Sequence, residues 1–144
     1  MKIVHTEKDA RGRVLFQRLD AAEIAPGADG APAYIDIRVR LKGSDRCLGL
    51  ELAQVWEKLK EPIDPNSLAM AELWEECRMA EYKVLAMRVA GWNWADDSGD
   101  PLPTPEGPAV FAELYEDQRS WIFDQIGELN RYTVTEGNAP SGGD

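Results

Sequence analysis

The chain has 144 residues, room for one compact domain with an ordinary core and not for two independent ones. Lys and Arg number 16 against 26 Asp and Glu, a net charge of −10 spread along the whole length. Nucleic acid and membrane surfaces are therefore set aside as partners, because both are held by clustered cations.

One histidine, His5, and two cysteines, Cys47 and Cys77, fall short of the roughly four ligands a structural zinc needs. Both cysteines sit in apolar stretches and are expected as reduced, small hydrophobes in an intracellular setting. No apolar run approaches the roughly 20 residues of a membrane span, and Met1 to Arg13 has no secretory hydrophobic region. A soluble cytoplasmic protein is expected.

Ile3 to His5 and Val14 to Leu19 are short β-prone runs joined by a segment containing Asp9 and Gly12, which predicts a hairpin. After the breaker-rich Ala25 to Pro32, residues Tyr34 to Leu41 alternate strictly. Ile35, Ile37, Val39 and Leu41 share one face, the pattern of a half-buried strand with a charged outer face. Ser44 or Asp45 is the expected cap of a helix whose face repeats at Leu48, Leu52, Val55 and Leu59. Leu48 to Leu52 also alternates, so a returning strand is the alternative to that helix's first turn.

Pro62 and Pro65 end the pattern, and Asn66 or Ser67 can cap the next element. From Met70, residues Leu73, Cys77, Ala80, Val84 and Met87 step by threes and fours, with Trp74, Leu85 and Val89 widening the stripe. A central core helix ending near Gly91 is predicted. Gly91 to Pro103 reads as a loop or a tight two-stranded excursion turning at Asp97 to Asp100. Thr104 then caps a helix with Pro105 at its first position, and Phe111, Tyr115, Gln118, Ile122, Ile126 and Leu129 predict one long helix or two in tandem to about Arg131.

Together these elements predict an α+β fold: short N-terminal antiparallel strands, then a mainly α-helical bundle of three to four helices. A single domain over 1–132 and a disordered polar tail over 133–144 are expected.

The chemistry of a catalyst is missing from this pattern. His5 is the only imidazole, no phosphate-cradling glycine motif is present, and adjacent acids such as Glu75-Glu76 are expected by chance in so acidic a chain. A calcium loop starting at Asp96 would put Gly fourth instead of sixth and Gly107 where a Glu is required. The expectation is a protein that is no enzyme, with no cofactor and no metal.

Aromatic residues are the remaining signal. Five tryptophans stand at 56, 74, 92, 94 and 121. Trp92 and Trp94 flank the acidic turn, where they either fill the core or anchor a partner peptide.

Val84 to Trp92, then Asp97-Ser98-Gly99-Asp100-Pro101-Leu102-Pro103-Thr104-Pro105-Glu106, then Phe111 to Leu114, resembles the tail assembly chaperones of long-tailed bacteriophages. The strand and charged helix from Ile35 to Leu59 are also similar to that family, so the resemblance spans about 34–130. The chain departs from the pattern in its longer N-terminal hairpin and in Asn93-Trp94.

The resemblance implies a non-catalytic protein that keeps the tape-measure protein soluble, helps recruit tail-tube protein, acts in the host cell cytoplasm and is absent from the mature virion. It also implies a longer, frameshifted form in many members. Self-association is left open. The candidate partner-binding residues are Trp92, Trp94, Leu102, Phe111, Tyr115 and Trp121. The competing readings are a head-tail connector or tail-completion protein that stays in the particle, and a small metal-dependent enzyme built on Asp96 to Asp100.

Overall fold

The computed structural model describes residues 1–137. Strands β1 (Ile3–Lys8), β2 (Val14–Asp20), β3 (Tyr34–Arg38) and β4 (Val89–Trp92) form an antiparallel sheet in chain order. Helices α1 (Gly43–Lys58) and α2 (Leu68–Arg88) lie between β3 and β4 in sequence, and a 3-10 helix (Pro108–Glu113) leads into α3 (Glu116–Gly137). The fold is α+β. The predicted hairpin is β1–β2, and Gly12 sits at its turn with φ +79°.

Register explains the core. Ile3 pairs with Leu19, Leu19 with Ile35 and Ile35 with Trp92, one row across all four strands. With Ile37 and Val89 this row meets Leu85 of α2 and Ile122, Ile126 and Leu129 of α3 in the main core. The opposite face carries Arg18, Asp36 and Gly91 in register. There the expected charged outer face of β3 is corrected: Asp36 is 6% exposed, because Arg18 holds it with two hydrogen bonds of 2.8 and 3.1 Å and itself lies 3.7 Å over the Tyr34 ring. A carboxylate is retained in so closed a place by a paired, doubly bonded guanidinium. β3 also ends at Arg38, so Leu41 lies beyond the strand.

Leu48 to Leu52 are helical, as the four-three-four spacing predicts. The cap differs from the expectation. Lys42 occupies the N-cap position and Asp45, three residues in, accepts the Lys42 N–H at 2.8 Å. A first-turn carboxylate at that point satisfies a backbone donor and complements the helix dipole. Ser67 caps α2 by accepting from the Met70 N–H at 3.1 Å.

Helix α2 serves two clusters. Leu73 and Cys77 pack on Val55 of α1, with Leu59 and Ile63 alongside, whereas Tyr82 and Leu85 enter the main core. Trp74, expected in the stripe, is 53% exposed because it lies off the Leu73–Cys77 row. α2 stops at Arg88, before the expected end near Gly91, and the chain straightens into β4 to complete the sheet beside β3.

The helix expected from a Thr104 cap is absent. Glu106 N–H bonds back to the Thr104 carbonyl at 2.8 Å, and helical structure starts at Pro108 after Gly107. Pro108 disfavours the α conformation in the residue before it, which blocks a helix running from Pro105. Of the two forms predicted for Phe111 to Leu129, one long helix or two in tandem, the chain takes the second, a 3-10 helix and α3 separated at Leu114 and Tyr115. Gln118, the single polar residue on that apolar face, explains the join: its Oε1 accepts the Tyr115 N–H at 3.0 Å and its Nε2 donates to the Ile24 carbonyl at 3.1 Å. α3 continues to Gly137, so the expected tail from 133 begins within a helix, and its remainder, 138–144, lies outside the described residues.

Candidate partner-binding surface

The segment after α2 folds into a clasp. Trp92 and Trp94, two apart on an extended chain, point the same way and stack at 5.0 Å with planes 15° apart. Phe111 meets Trp92 edge-on at 5.5 Å, and Trp121 meets Trp94 at 6.3 Å. The Trp92 indole N–H donates to the Pro103 carbonyl at 3.0 Å, and the Leu102 N–H to the Trp94 carbonyl at 2.9 Å. These bonds tie both arms together, giving the two-stranded form of the predicted excursion, with Ala95 bridged to Pro101. Gly27 bridges Trp94 from the other side, and a Cβ there would stand 1.9 Å from the Ala31 carbonyl oxygen. No side chain fits at that position.

The turn is held by one carboxylate. Asp96 Oδ1 accepts from the Ser98 N–H at 2.9 Å, the Ser98 hydroxyl at 2.6 Å and the Asp100 N–H at 3.0 Å, and Gly99 supplies φ +91°. The Ser98 hydroxyl, followed by the backbone donors, holds the Asp96 carboxyl below its ordinary range. Its lone pairs point into the turn. Among the described residues no group of three or more His, Cys, Asp or Glu is placed to hold a metal ion.

Five of the six candidate contact residues are thereby brought together, three of them inside the protein. Trp94 and Phe111 are fully buried, Trp92 is 9% exposed, and Leu102 and Trp121 are partly covered against the same core. Trp121 donates to Glu23 at 2.8 Å. Tyr115 alone stands out, 59% exposed, with its hydroxyl donating to Asp97. Burial moves the contact role away from Trp92, Trp94 and Phe111, whose surfaces are used up by one another.

Exposed apolar side chains lie elsewhere, on more than one side of α1 and α2. Leu50 and Trp56 on α1 and Leu68, Trp74 and Met79 on α2 are between 39% and 75% exposed. Trp56 donates to Glu81 at 3.1 Å and meets Phe123 of α3 edge-on at 5.6 Å. Trp74 is seven residues before Glu81 on the same helix, so it shares that side of the hairpin. On its other flank a groove of about 290 Å³ has Val55 and Ala80 in its lining and is crossed by the Lys58–Glu76 ion pair at 3.3 Å. The sequence signal for this surface is phase: Leu50 lies off the Leu48–Leu52–Val55 row, and Trp74 and Met79 off the Leu73–Cys77–Ala80 row.

The two cysteines are free, Cys47 exposed and Cys77 buried. Burial, then the nearby Glu81 carboxylate, pushes the Cys77 thiol up to about 11, which makes it a poor nucleophile. His5 is exposed and pairs with Glu7 at 3.1 Å. No family model, curated protein or solved structure matches the chain.

Proposed function

We propose that this chain is a tail assembly chaperone of a long-tailed bacteriophage, a non-catalytic protein that holds the tape-measure protein in solution during tail assembly. The observation that carries the proposal is the exposed apolar set Leu50, Trp56, Leu68, Trp74 and Met79 on one helical hairpin of a chain with net charge −10. Apolar side chains left in solvent on such a carrier can hold apolar stretches of a client, while the charge of the carrier keeps the complex dispersed. The resemblance of the Val84 to Glu106 segment supports the same reading, and in that role the tryptophan motif acts by building the fold that carries the hairpin.

Co-expression with the tape-measure protein of the same genome tests it. The wild-type chain is expected to keep that client soluble, and a Leu50→Ser, Trp74→Ser double variant to lose this without a change in its own melting temperature. A client that stays insoluble beside the folded wild-type chain defeats the proposal. So does recovery of the chain from purified virions by mass spectrometry, which fits a connector or tail-completion protein.

A further inference from the structure

One groove of the molecule runs against the charge of the chain. It encloses about 980 Å³ between the ends of β2 and β3, the start of α1 and the end of α2. Phe16, Leu48 and Met87 supply apolar lining, and the charged residues there are Arg38, Arg40 and Lys42 against the single carboxylate of Asp45. Acids outnumber bases 26 to 16 in the chain, so three cations to one acid in one groove is a local inversion.

The cations are positioned and incompletely neutralised. Arg38 donates to the Met87 carbonyl at 2.9 Å, and Arg40 pairs with Asp9 at 3.2 Å. Asp45 is engaged by the Lys42 backbone N–H. Among the described residues the Lys42 ammonium has no carboxylate within 4.0 Å. Behind the rim Arg88 is only 4% exposed, and its guanidinium donates to two neutral acceptors, the Arg38 carbonyl and Asn130 Oδ1, both at 3.0 Å. Arg88 has no carboxylate within 4.0 Å among the described residues, Asp45 acting on it from further off, and a buried cation so placed raises the positive potential of the wall it stands behind.

We infer that this groove binds an acidic peptide segment with an apolar anchor, the anchor against Phe16, Leu48 and Met87 and the carboxylates on Arg38, Arg40 and Lys42. Charge complementarity selects the sign of the partner, and the apolar lining selects a peptide over a phosphate chain, which would leave that surface unused. The groove is lined by ten residues, well short of the roughly 20–30 a side of a stable protein interface, so a segment fits better than a second folded copy. The groove uses none of the five exposed apolar residues of the hairpin, and the inference is independent of the client's identity.

Fluorescence anisotropy with a fluorescein-labelled peptide of about 12 residues, Glu-rich with a central Leu-Phe, tests it on the full chain. Saturable binding is expected, weakened about 30-fold or more by Arg38→Glu with Lys42→Glu and severalfold by Lys42→Gln alone, both at exposed positions that leave the melting temperature in place. The Leu50→Ser, Trp74→Ser variant is expected to bind the peptide as the wild type does, which separates this groove from the chaperone surface. Equal binding of a Lys-for-Glu version of the peptide overturns the inference, as does tighter binding of a single-stranded oligonucleotide of matched charge. Indifference of peptide affinity to the charge reversals also overturns it. A dimer by sedimentation that the reversals dissociate would assign the groove to a second copy instead.

Discussion

Trp94 stacks on Trp92 and lies beside Trp121 with no exposure, and its indole N–H is the one buried side-chain donor or acceptor without a partner among the described residues. An unsatisfied donor costs about 1–3 kcal/mol, less than a fully buried aromatic contributes through area and packing. Trp94→Ala is therefore expected to lower unfolding stability by about 3–5 kcal/mol in urea titrations, against less than about 0.5 kcal/mol for exposed Trp74→Ala. A loss below about 1 kcal/mol at Trp94 would show that its neighbours collapse into the space. Sequence spacing left these two tryptophans undivided. A β-period of two puts Trp92 and Trp94 on one side, but only the chain returning at Leu102 and Trp121 makes that side the inside.

The elements were legible where one period ran unbroken. Ile35 to Ile37, Leu48 to Val55 and Leu73 to Cys77 each predict the element found, because the apolar residues of each recur at one period and are buried together. β4 was missed: four residues, Val89 to Trp92, carry too little pattern, and their strand state depends on β3 lying alongside. The acidic turn was legible in composition, and its chemistry predicts its pH response. Asp96 has its folded pKa below the ordinary carboxylate range, so the stability it lends is fully present above that range and is lost as pH falls through the lower folded value. Asp96→Asn keeps an acceptor without the titration. By circular dichroism the variant is expected to lose less stability than the wild type between about pH 4 and pH 2. Identical acid curves would place the acid sensitivity elsewhere.

Over the whole molecule the charge of −10 works against compaction as well as for solubility. The exposed ion pairs do little to offset it: Lys60–Glu57, Arg78–Glu75 and Lys58–Glu76 are all at least half exposed, and such pairs contribute about 0–1 kcal/mol each. Raising NaCl from about 0.02 M to about 0.5 M shortens the screening length from about 20 Å to about 4 Å. The melting temperature is expected to rise over that range; a fall would mean that attraction within pairs outweighs repulsion between them.

The sequence by itself determined the acidity, the scarcity of histidine and cysteine, the strand-then-helix order and the phases of α1 and α2. Each is a property of composition or of neighbours a few residues apart, so no distant contact is needed to read it. The tertiary structure alone decided that the Trp92–Trp94 motif faces inward and that Asp36 is buried on Arg18. It also decided that Leu50, Trp74 and Met79 remain outside, and that Arg38, Arg40 and Lys42 border one groove. Burial is settled by what the rest of the chain brings to a face, and the partners concerned lie in other elements.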